Sequence, residues 1–592
     1  MGSNLALEKA MDRERVEGDN AGVMNRLVFA LVPTAALMSF PMLILDRSIG
    51  GEFPFLLTVP WGAFAVAAWL GLVATERKTE TVSANALPSP SSNAGFFVPN
   101  NRFACVLGCF FIIAILSAVC AKNRSASMAA LWPLAVNLLL AYAVATSFDP
   151  RGNERLVKLW IATATILSIW AMIVHWRVPN SAAEPVATFG NRNFLAAFLA
   201  ASVWVGTSLA RNEGAAKRSR KNWIYGLWGL WTVLVIALAC RSRGAMLALA
   251  TVGGAILVMW IWRVVKTLLA RFVLVAIAVL IVFIALDLAP IKSRLEKIFS
   301  EDVRPAIWLG SLGLISERPL VGHGWGSFES NLASHRPIHY WTIGRAAPIT
   351  KHAHNEFLEI GAEGGLLAVA AFVALLVFVA LEEMKANVRG NPFALGFGAA
   401  LATWLVHNQL DVNLRHLPNQ TLFWVMLGLI VAQNRADNVT RPLSARSGMP
   451  ILTLLGAGAI LLQAFVRPIW ADLQVIRGAR AVAQHNWQAA ALAYHDVLEM
   501  DEHRLEIRYR LGIAQAQARQ LDSAAATFEE LDRRAPDYGE VNANLARIYL
   551  DQNQPHRAIE RLRRAIKVNP HRLEYRQLLQ AAEAMARPAK PR

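Results

Sequence analysis

A dense group of ionisable and polar side chains opens a long apolar run in the stretch "ITKHAHNEFLEIGAEGGLLAV", residues 349–369. The group consists of His352, His354, Asn355, Glu356, Glu359 and Glu363. An imidazole accepts a proton near neutral pH, so a histidine here is suited to acid–base chemistry. A carboxylate beside an apolar run must form an ion pair or stay hydrated, because an isolated charge is costly in a membrane. The stretch is a candidate site, although a structural ion pair with an arginine of another loop explains Glu363 equally well.

The spacing of the glutamates predicts one face of a helix. If the helix begins near Ala353, then Glu356, Glu359 and Glu363 follow at intervals of three or four residues and share a side. We expect His354 in the first turn of this helix, on a different face. His354 is then the candidate base, and the glutamates are candidates for orienting it or for structure.

Arginines in two further segments could hold an anion, because a guanidinium group binds phosphate or carboxylate through paired hydrogen bonds. Arg192 stands between two asparagines in "TFGNRNFLAAFLA", and Arg241 and Arg243 stand in "CRSRGAMLAL". Arginines at helix ends also reach towards lipid headgroups, and for Arg192 that alternative is equally strong. It is weaker for Arg241 and Arg243, since positive charge is scarce on their predicted side of the membrane.

Two more segments carry polar side chains that could join such a site. The segment "WLVHNQLDVNLRHLPN" contributes His407 and Asp411. The segment "RPLVGHGWGSFES" contributes His323, and His335 and His339 follow it in the same polar loop. We expect these last three histidines to be solvated or structural.

The composition is that of a polytopic membrane protein. The chain has 592 residues, of which 55% are hydrophobic, and its mean hydropathy of +0.36 is too high for a soluble globular protein of this length. A helix needs about 20 apolar residues to cross a bilayer, and about thirteen segments meet this requirement. They are residues 27–46, 56–74, 103–121, 128–147, 157–175, 193–210, 223–240, 244–262, 272–289, 355–381, 393–408, 419–433 and 451–468. The predicted fold class is all-α, with a transmembrane bundle of about 13 helices in residues 27–468.

The net charge of +17 suggests nucleic-acid binding, but the placement of the charge argues against it. Residues 471–592 hold 19 Lys and Arg against 16 Asp and Glu, which leaves 40 against 26 for the rest. In residues 1–470, Lys and Arg concentrate in every second short loop between the predicted spans. These loops therefore face the cytoplasm. Residues 1–26 are then cytoplasmic, and the first apolar run is an anchor rather than a cleaved signal peptide. The long loop at residues 290–353 and everything after the last span face outward.

The four cysteines lie in or beside apolar segments without the spacing of a metal site. They are Cys105, Cys109, Cys120 and Cys240. We expect small core residues rather than disulfides or metal ligands.

The carboxyl-terminal region repeats with a period of 34 residues. Small residues recur at Gly478, Gly512 and Ala546 and at Ala490, Ala524 and Ala558; larger apolar residues recur at Tyr494, Phe528 and Leu562; proline recurs at Pro536 and Pro570. Small residues let two antiparallel helices approach, and proline ends the second helix of a pair. We expect the larger residues to pack between neighbouring repeats. Residues 471–585 thus resemble three tetratricopeptide repeats with a terminal helix, an α-solenoid that binds a protein partner.

The ordered polar segments resemble those of the O-antigen ligase and polymerase superfamily. The resemblance is carried by "SRGAMLAL", "HAHNEFLEIGAEGGLL" and "LVHNQLDVNLRHLPNQTLFWVMLGL", with "GNRNFLAAFLA" and "PLVGHGWGSF" in the same order. The resemblance covers residues 188–430. The five segments in this order are specific to the superfamily, whereas no one segment is specific by itself. Carboxyl-terminal helical repeats are a known addition in this superfamily.

The resemblance implies a glycosyltransferase of the bacterial inner membrane that works at the periplasmic face. Its donor is a glycan on undecaprenyl pyrophosphate, and its acceptor is a hydroxyl of another glycan, of lipid A core or of a protein. The resemblance places Arg243 and His354 among the functional residues, with Arg192 and Arg241 as further candidates. The repeats are then periplasmic, and no nucleic acid is a partner.

The residue types suit this reaction. Guanidinium groups stabilise a departing diphosphate, so Arg241 and Arg243 are expected to hold it. An imidazole activates or orients the acceptor hydroxyl, with Asp411 or a glutamate orienting His354. The sequence contains no D-x-D triplet, which disfavours a metal-dependent nucleotide-sugar enzyme. We expect no cofactor and no metal, and a single displacement that inverts the anomeric carbon.

Other functions remain open at this stage. A ligase, a polymerase and a protein glycosyltransferase share fold and donor, and the sequence does not separate them. A transporter of lipid-linked sugars is disfavoured, because the polar residues gather at one predicted membrane face rather than at helix midpoints. A membrane-anchored repeat scaffold would need neither so many spans nor these separated arginine and histidine segments.

Overall fold

The computed structural model describes most of the chain between residues 101 and 587. The described ranges are 101–122, 124–148, 150–177, 191–212, 215–270, 272–274, 302–343, 346–434, 470–471 and 473–587. They contain helices and turns and no strand. The predicted segment 1–26, the predicted spans 27–46, 56–74 and 451–468, and nearly all of the span 272–289 lie outside the described residues.

Eleven helices precede the repeats in the described ranges. They are α1 Asn101–Val119, α2 Arg124–Ser147, α3 Asn153–Arg177, α4 Arg192–Asn212, α5 Ala215–Val235, α6 Arg243–Val264, α7 Arg304–Glu317, α8 Phe328–Leu332, α9 Glu356–Val388, α10 Ala394–His407 and α11 Leu417–Ala432. Helices α1 to α6 and α9 are long and apolar enough to cross a membrane, and α10 and α11 are apolar but shorter. Each of the nine predicted spans that fall within the described ranges corresponds to one of these helices. The all-α fold class is confirmed, and the chain is a multi-pass membrane protein.

Helix α4 lies at the centre of the bundle. All residues from Phe194 to Ala201 are buried, and small residues along α4 let its neighbours approach closely. The ring of Trp160 in α3 stacks on Phe198 at 5.8 Å and lies 6.3 Å from Trp404 in α10. The indole nitrogen of Trp160 donates to Ser202 Oγ at 2.8 Å. Aromatic packing around α4 therefore ties three helices together.

The helices alternate in direction, so the bundle has two distinct polar ends. At one end, Gln433 Oε1 accepts hydrogen bonds from Asn153 and Asn391, both at 2.7 Å. At the other end, which we call the site end, the first turn of α9 meets the last residues of α10, since Glu356 N donates to Asn408 O at 3.0 Å. The amino-terminal ends of α4, α6 and α11 lie at the site end too. The structure thus brings the described parts of the five polar segments of the sequence to one end of the bundle.

Helix α9 is interrupted two turns from its start. The prediction was one continuous helix over residues 355–381, but Gly365 has φ +71° and ψ −177°, which is not helical. The loop before α9 fills the interruption: Gly324 N donates to Glu363 O at 2.9 Å, and Leu366 N donates to Pro319 O at 2.7 Å. The break therefore exposes backbone groups that the loop satisfies, as a membrane protein requires.

Three of the four cysteines differ from the expectation of a core position. Cys240 is buried, as expected, but Cys105, Cys109 and Cys120 are exposed on the outside of the bundle rather than in its core. A thiol is a weakly polar group of small size, so it is tolerated on an apolar outer surface as well as inside. All four are free cysteines.

The carboxyl-terminal helices form antiparallel pairs. A helix at residues 473–483 precedes α12 Trp487–Met500, α13 Leu505–Gln517, α14 Leu521–Arg534, α15 Val541–Asp551, α16 Pro555–Val568 and α17 Leu573–Ala586. The predicted close approach occurs inside each pair: a Cβ at Gly512 would lie 2.7 Å from the Phe528 ring, and a Cβ at Gly478 would lie 2.5 Å from the Tyr494 ring. The large residue packs on the glycine of its own repeat, and Phe528 also belongs to an apolar core that includes Leu545 and Ala546 of the next repeat. A glycine leaves a recess that the ring of the partner helix fills.

Replacing Gly365 with alanine is expected to destabilise the protein strongly. The backbone conformation there is restricted to glycine, and a Cβ would lie 2.2 Å from Leu320 O. Gly390 is a matched control, since it also has a positive φ of +79° but nothing within 4 Å of a Cβ. Thermal unfolding in detergent should give about 1 kcal/mol of loss for Gly390→Ala and several kcal/mol for Gly365→Ala. Equal losses would show that the loop does not occupy the helix break.

Candidate functional site

A largely buried arginine binds the three glutamates of α9. Arg415 lies at the end of the short turn Asn413–Arg415, before α11. Its guanidinium nitrogens lie 3.0 Å from Glu356, 3.4 Å from Glu359 and 3.0 Å from Glu363. The three carboxylate side chains are 9%, 2% and 2% exposed, respectively. Together these four side chains form what we call the arginine hub.

The hub explains the carboxylates that stand beside an apolar run. Burial alone lowers the pKa of Arg415, but the adjacent carboxylates raise the pKa of this guanidinium well above its usual value. Arg415 is thus a permanent cation, and its delocalised plane also lies over the Trp325 ring at 5.6 Å. The structure places Glu356 and Glu363, which we had considered as supporting site residues, in a structural ion-pair cluster.

His354 lies before the helix rather than in its first turn. The first residue of α9 is Glu356, and Asn355 is the cap, whose side chain accepts a hydrogen bond from Leu358 N at 3.1 Å. His354 has a φ of +53°, outside the helical region. An asparagine stabilises a helix start by binding the free backbone N–H groups, so the helix begins at Glu356, three residues after the expected start near Ala353. The glutamate stripe is as predicted, and the histidine position is corrected.

Asp411 lies between two imidazoles. Its Oδ1 is 3.8 Å from His354 Nδ1, and its Oδ2 is 3.9 Å from His407 Nε2. Both distances exceed a hydrogen bond, so the contacts are electrostatic in this structure. Burial raises the pKa of Asp411, but His354, His407 and the N–H of Val412 outweigh it and lower the pKa below its usual value. Asp411 is therefore ionised at neutral pH.

His407 connects this group to the start of α6. Its side chain is fully buried, and its ring lies against the backbone of Gly244, where a Cβ would be 2.7 Å from Cδ2. Neither ring nitrogen of His407 has a hydrogen-bond partner among the described residues. A larger residue at Gly244 would push the imidazole away. The contacts Gly244–His407–Asp411–His354 thus form a continuous path, which we call the histidine path.

The predicted anion-binding arginines stand at the site end. A short π-helix, Ile236–Cys240, ends at Arg241, which has a φ of +51°. Arg243 is the first residue of α6 and is exposed, and the preceding Ser242 caps the helix. Free N–H groups and the helix dipole favour an anion at such an end. Arg192 begins α4, and its neighbour Phe194 stacks on His416 at 4.2 Å.

The other polar side chains stabilise the loop before α9. His352 Nδ1 lies 2.9 Å from Glu359 Oε1, and Ala353 N donates to Glu359 Oε2 at 2.8 Å. Asn355 Nδ2 donates to Gln409 O at 3.3 Å, in addition to capping α9. In the described part of the chain, no cluster of His, Cys, Asp or Glu side chains has the arrangement of a metal site.

The three loop histidines differ in their surroundings. His323 is buried, and its Nε2 lies 3.1 Å from Leu314 O; burial lowers the pKa of His323, so it is neutral at pH 7. His335 Nε2 lies 2.9 Å from Glu317 Oε2. His339 is exposed. The first two therefore stabilise the loop, and none of the three is part of the histidine path.

Arg415 is the central residue that sequence reasoning missed. The sequence does indicate that a cation lies near the glutamates, because three carboxylates on one helix face next to an apolar run require one. Residues 404–419 contain one arginine, and the local pattern gave no reason to choose it over the arginines of other segments.

Replacing Arg415 with methionine is expected to destabilise the protein by about 3–5 kcal/mol, because three buried carboxylates lose their cation. The measurement is thermal unfolding of the purified protein in detergent. Arg519→Met is the matched control: it breaks the exposed Arg519–Asp551 pair and should cost less than about 1 kcal/mol. Adding Glu356→Gln and Glu363→Gln to Arg415→Met should restore part of the loss. Equal costs for the two arginine variants would contradict the role of the hub.

The comparisons with known proteins agree with these features. Residues 228–373 match the family described as O-antigen ligase, a stretch that contains Arg241, Arg243 and His354. Residues 481–537 and 517–582 match the tetratricopeptide repeat. None of the curated proteins matches the chain. The resemblance predicted from the sequence is confirmed: residues 228–373 are similar to the O-antigen ligase family, and tetratricopeptide repeats follow them.

Proposed function

We propose that this protein transfers a glycan from undecaprenyl pyrophosphate to an acceptor hydroxyl at the periplasmic face of the bacterial inner membrane. The single observation that carries the proposal is the histidine path, which links the start of α6 to His354 through His407 and Asp411. The path connects His354, which is suited to proton transfer, with the start of α6, which is suited to binding a diphosphate. The O-antigen ligase domain supports the same reaction class.

The donor diphosphate binds at the amino-terminal end of α6. Arg243 is exposed there, so its guanidinium can reach a ligand without breaking an internal ion pair. The free N–H groups of the first turn add to the attraction. Arg241 and Arg192 lie at the same end of the bundle and complete the set of cations. As the sugar–phosphate bond breaks, these groups stabilise the negative charge on the departing diphosphate.

His354 accepts the proton of the acceptor hydroxyl. Its side chain is 33% exposed, so an acceptor from the water phase can reach it. Asp411 faces Nδ1 and stabilises the imidazolium that forms, which leaves the other ring nitrogen for the acceptor. The acceptor oxygen forms a bond to the anomeric carbon, the bond to the diphosphate oxygen breaks, and the hydroxyl proton goes to His354. One displacement of this kind inverts the anomeric carbon and uses no metal.

The location of the site suits its two substrates. The site end lies at the boundary of the apolar bundle, where a membrane-embedded polyprenyl chain and a water-borne acceptor can meet. The distribution of Lys and Arg along the chain supports a periplasmic site end. Since the charged residues of the described spans lie towards the helix ends rather than at helix midpoints, a transporter is disfavoured.

The acceptor distinguishes a ligase from a polymerase or a protein glycosyltransferase, and these alternatives share the site described above. Glycan profiling of cells that lack the protein separates them. Loss of glycan on lipid A core indicates a ligase, loss of chain length indicates a polymerase, and loss of a protein glycan indicates a protein glycosyltransferase.

Replacing His354 with alanine is expected to lower the transfer rate about 10²- to 10⁴-fold, the range for loss of a general base. The rate is measured in membranes or detergent with a purified lipid-linked donor. His339→Ala is the matched control, because His339 is an exposed histidine of the same loop, and it should keep full activity. Full activity in the His354 variant would remove the central claim.

Replacing Arg243 with alanine is expected to lower kcat/KM at least about 100-fold, through loss of diphosphate stabilisation. Arg243→Lys should keep part of the activity, since the charge remains but the paired hydrogen bonds do not. Arg263→Ala serves as control, because Arg263 is in the last turn of the same helix, at the opposite end. If Arg243→Ala and Arg263→Ala behave alike, α6 does not bind the donor.

A further inference from the structure

The loop before α9 is docked on the repeats of its own chain. Lys351 Nζ forms an ion pair with Glu506 Oε2 of α13 at 2.7 Å. The hydroxyl of Tyr538, just before α15, donates a hydrogen bond to Glu329 of α8. Between these two points, Ile349 packs against the apolar core of the last repeats. One face of the solenoid is thus covered by the long loop of the membrane domain.

The loop also contributes an aromatic side chain to a recess in the repeats. Trp341 lines a small cavity together with Gly539, Val541 and Tyr575. Arg336 lies over the rings of Tyr340 and Trp341, at 5.1 Å and 5.6 Å. The cavity brings Trp341 next to the repeats and extends the docking beyond the two polar pairs, whereas the cation–π contacts are internal to the loop.

Each polar pair stands next to a backbone group that binds the arginine hub. The N–H of Phe328, adjacent to Glu329, donates to Glu363 Oε1 at 3.3 Å. The N–H of Ala353, two residues from Lys351, donates to Glu359 Oε2 at 2.8 Å. The repeats therefore bind the same two chain segments that the hub binds, one on each side.

We propose that the repeats are a positioning domain for the transfer site of the same chain. The pairs Lys351–Glu506 and Glu329–Tyr538 restrain the segment that ends in His354, so that the imidazole faces Asp411. Lys351, Glu506, Glu329 and Tyr538 are positioning residues, because they act through the loop and do not touch the reacting atoms. This inference rests on the proposed function for its kinetic consequence, but its structural part stands independently.

The geometry predicts which kinetic constant changes. The repeat contacts above involve the loop before α9, whereas Arg243 is at the start of α6 on a separate segment. Weakening a positioning pair should therefore lower kcat, through misplacement of His354, and leave KM for the donor nearly unchanged. A general loss of folding would lower the amount of active enzyme and would not respond to conservative replacement.

The first test uses the full-length protein and the Lys351–Glu506 pair. Lys351→Met should lower kcat at least tenfold with donor KM within about twofold, whereas Lys351→Arg should keep kcat within about threefold. Glu506→Gln removes the same pair together with the Glu506–Arg510 pair inside α13, so the double variant should be no worse than Glu506→Gln alone, as expected when Lys351 acts through Glu506. Arg519→Met, which breaks a pair between repeats away from the loop, should leave kcat unchanged. Wild-type kcat in Lys351→Met, or additive losses in the double variant, would overturn the inference.

The second test does not depend on catalysis. Hydrogen exchange of the peptide that spans residues 346–356 reports on the Ala353 amide, which donates to Glu359. Exchange there should be at least tenfold faster in Lys351→Met than in wild type, and unchanged in Lys351→Arg and Arg519→Met. If this pattern appears in a protein that transfers no glycan, the proposed function fails and the positioning contact stands. If exchange in Lys351→Met equals that of wild type, the repeats do not restrain the loop.

Discussion

The organisation of the site end depends on one buried cation. Arg415 binds three carboxylates of α9, and the pairs it makes with Glu356 and Glu363 connect residues 59 and 52 positions apart. Because an unpaired charge in this environment is costly, the arginine and the helix must meet in one arrangement. The hub then organises the loop, because Glu359 and Glu363 accept backbone N–H bonds from Ala353 and Phe328. One ion-pair cluster thereby fixes a helix, the turn before α11 and both ends of the loop.

The glycines of the polar segments have a packing role. The loop residue Gly322 lies so close to α9 that a Cβ would be 2.3 Å from Glu363 O, and Gly244 leaves room for the His407 ring. Close approach of backbone to backbone or to a ring requires a residue without a side chain. These positions build the site without taking part in chemistry. Of the two residues proposed for the reaction, Arg243 is exposed and His354 is partly exposed.

The repeats have a different relation to the membrane domain than their sequence indicates. Tetratricopeptide repeats commonly bind a separate protein, and the repeat pattern alone predicts such a partner. In the structure, part of the solenoid binds Lys351 and Glu329 of the same chain. The faces that remain uncovered are still available to a protein partner, and such a partner would act on a domain already in contact with the site loop.

Local patterns in the sequence are sufficient to predict the membrane spans, the repeats and the face of α9 that carries the glutamates. The bilayer thickness sets the length of an apolar helix, so the spans in the described ranges could be located from hydropathy; the period of 34 residues located the repeats; and helical spacing placed Glu356, Glu359 and Glu363 on one face. Tertiary structure alone decided which cation meets that face, where α9 breaks, and that Asp411 lies between His354 and His407. The reason is physical: periodicity acts between neighbours along the chain, whereas these contacts join residues that only helix packing brings together.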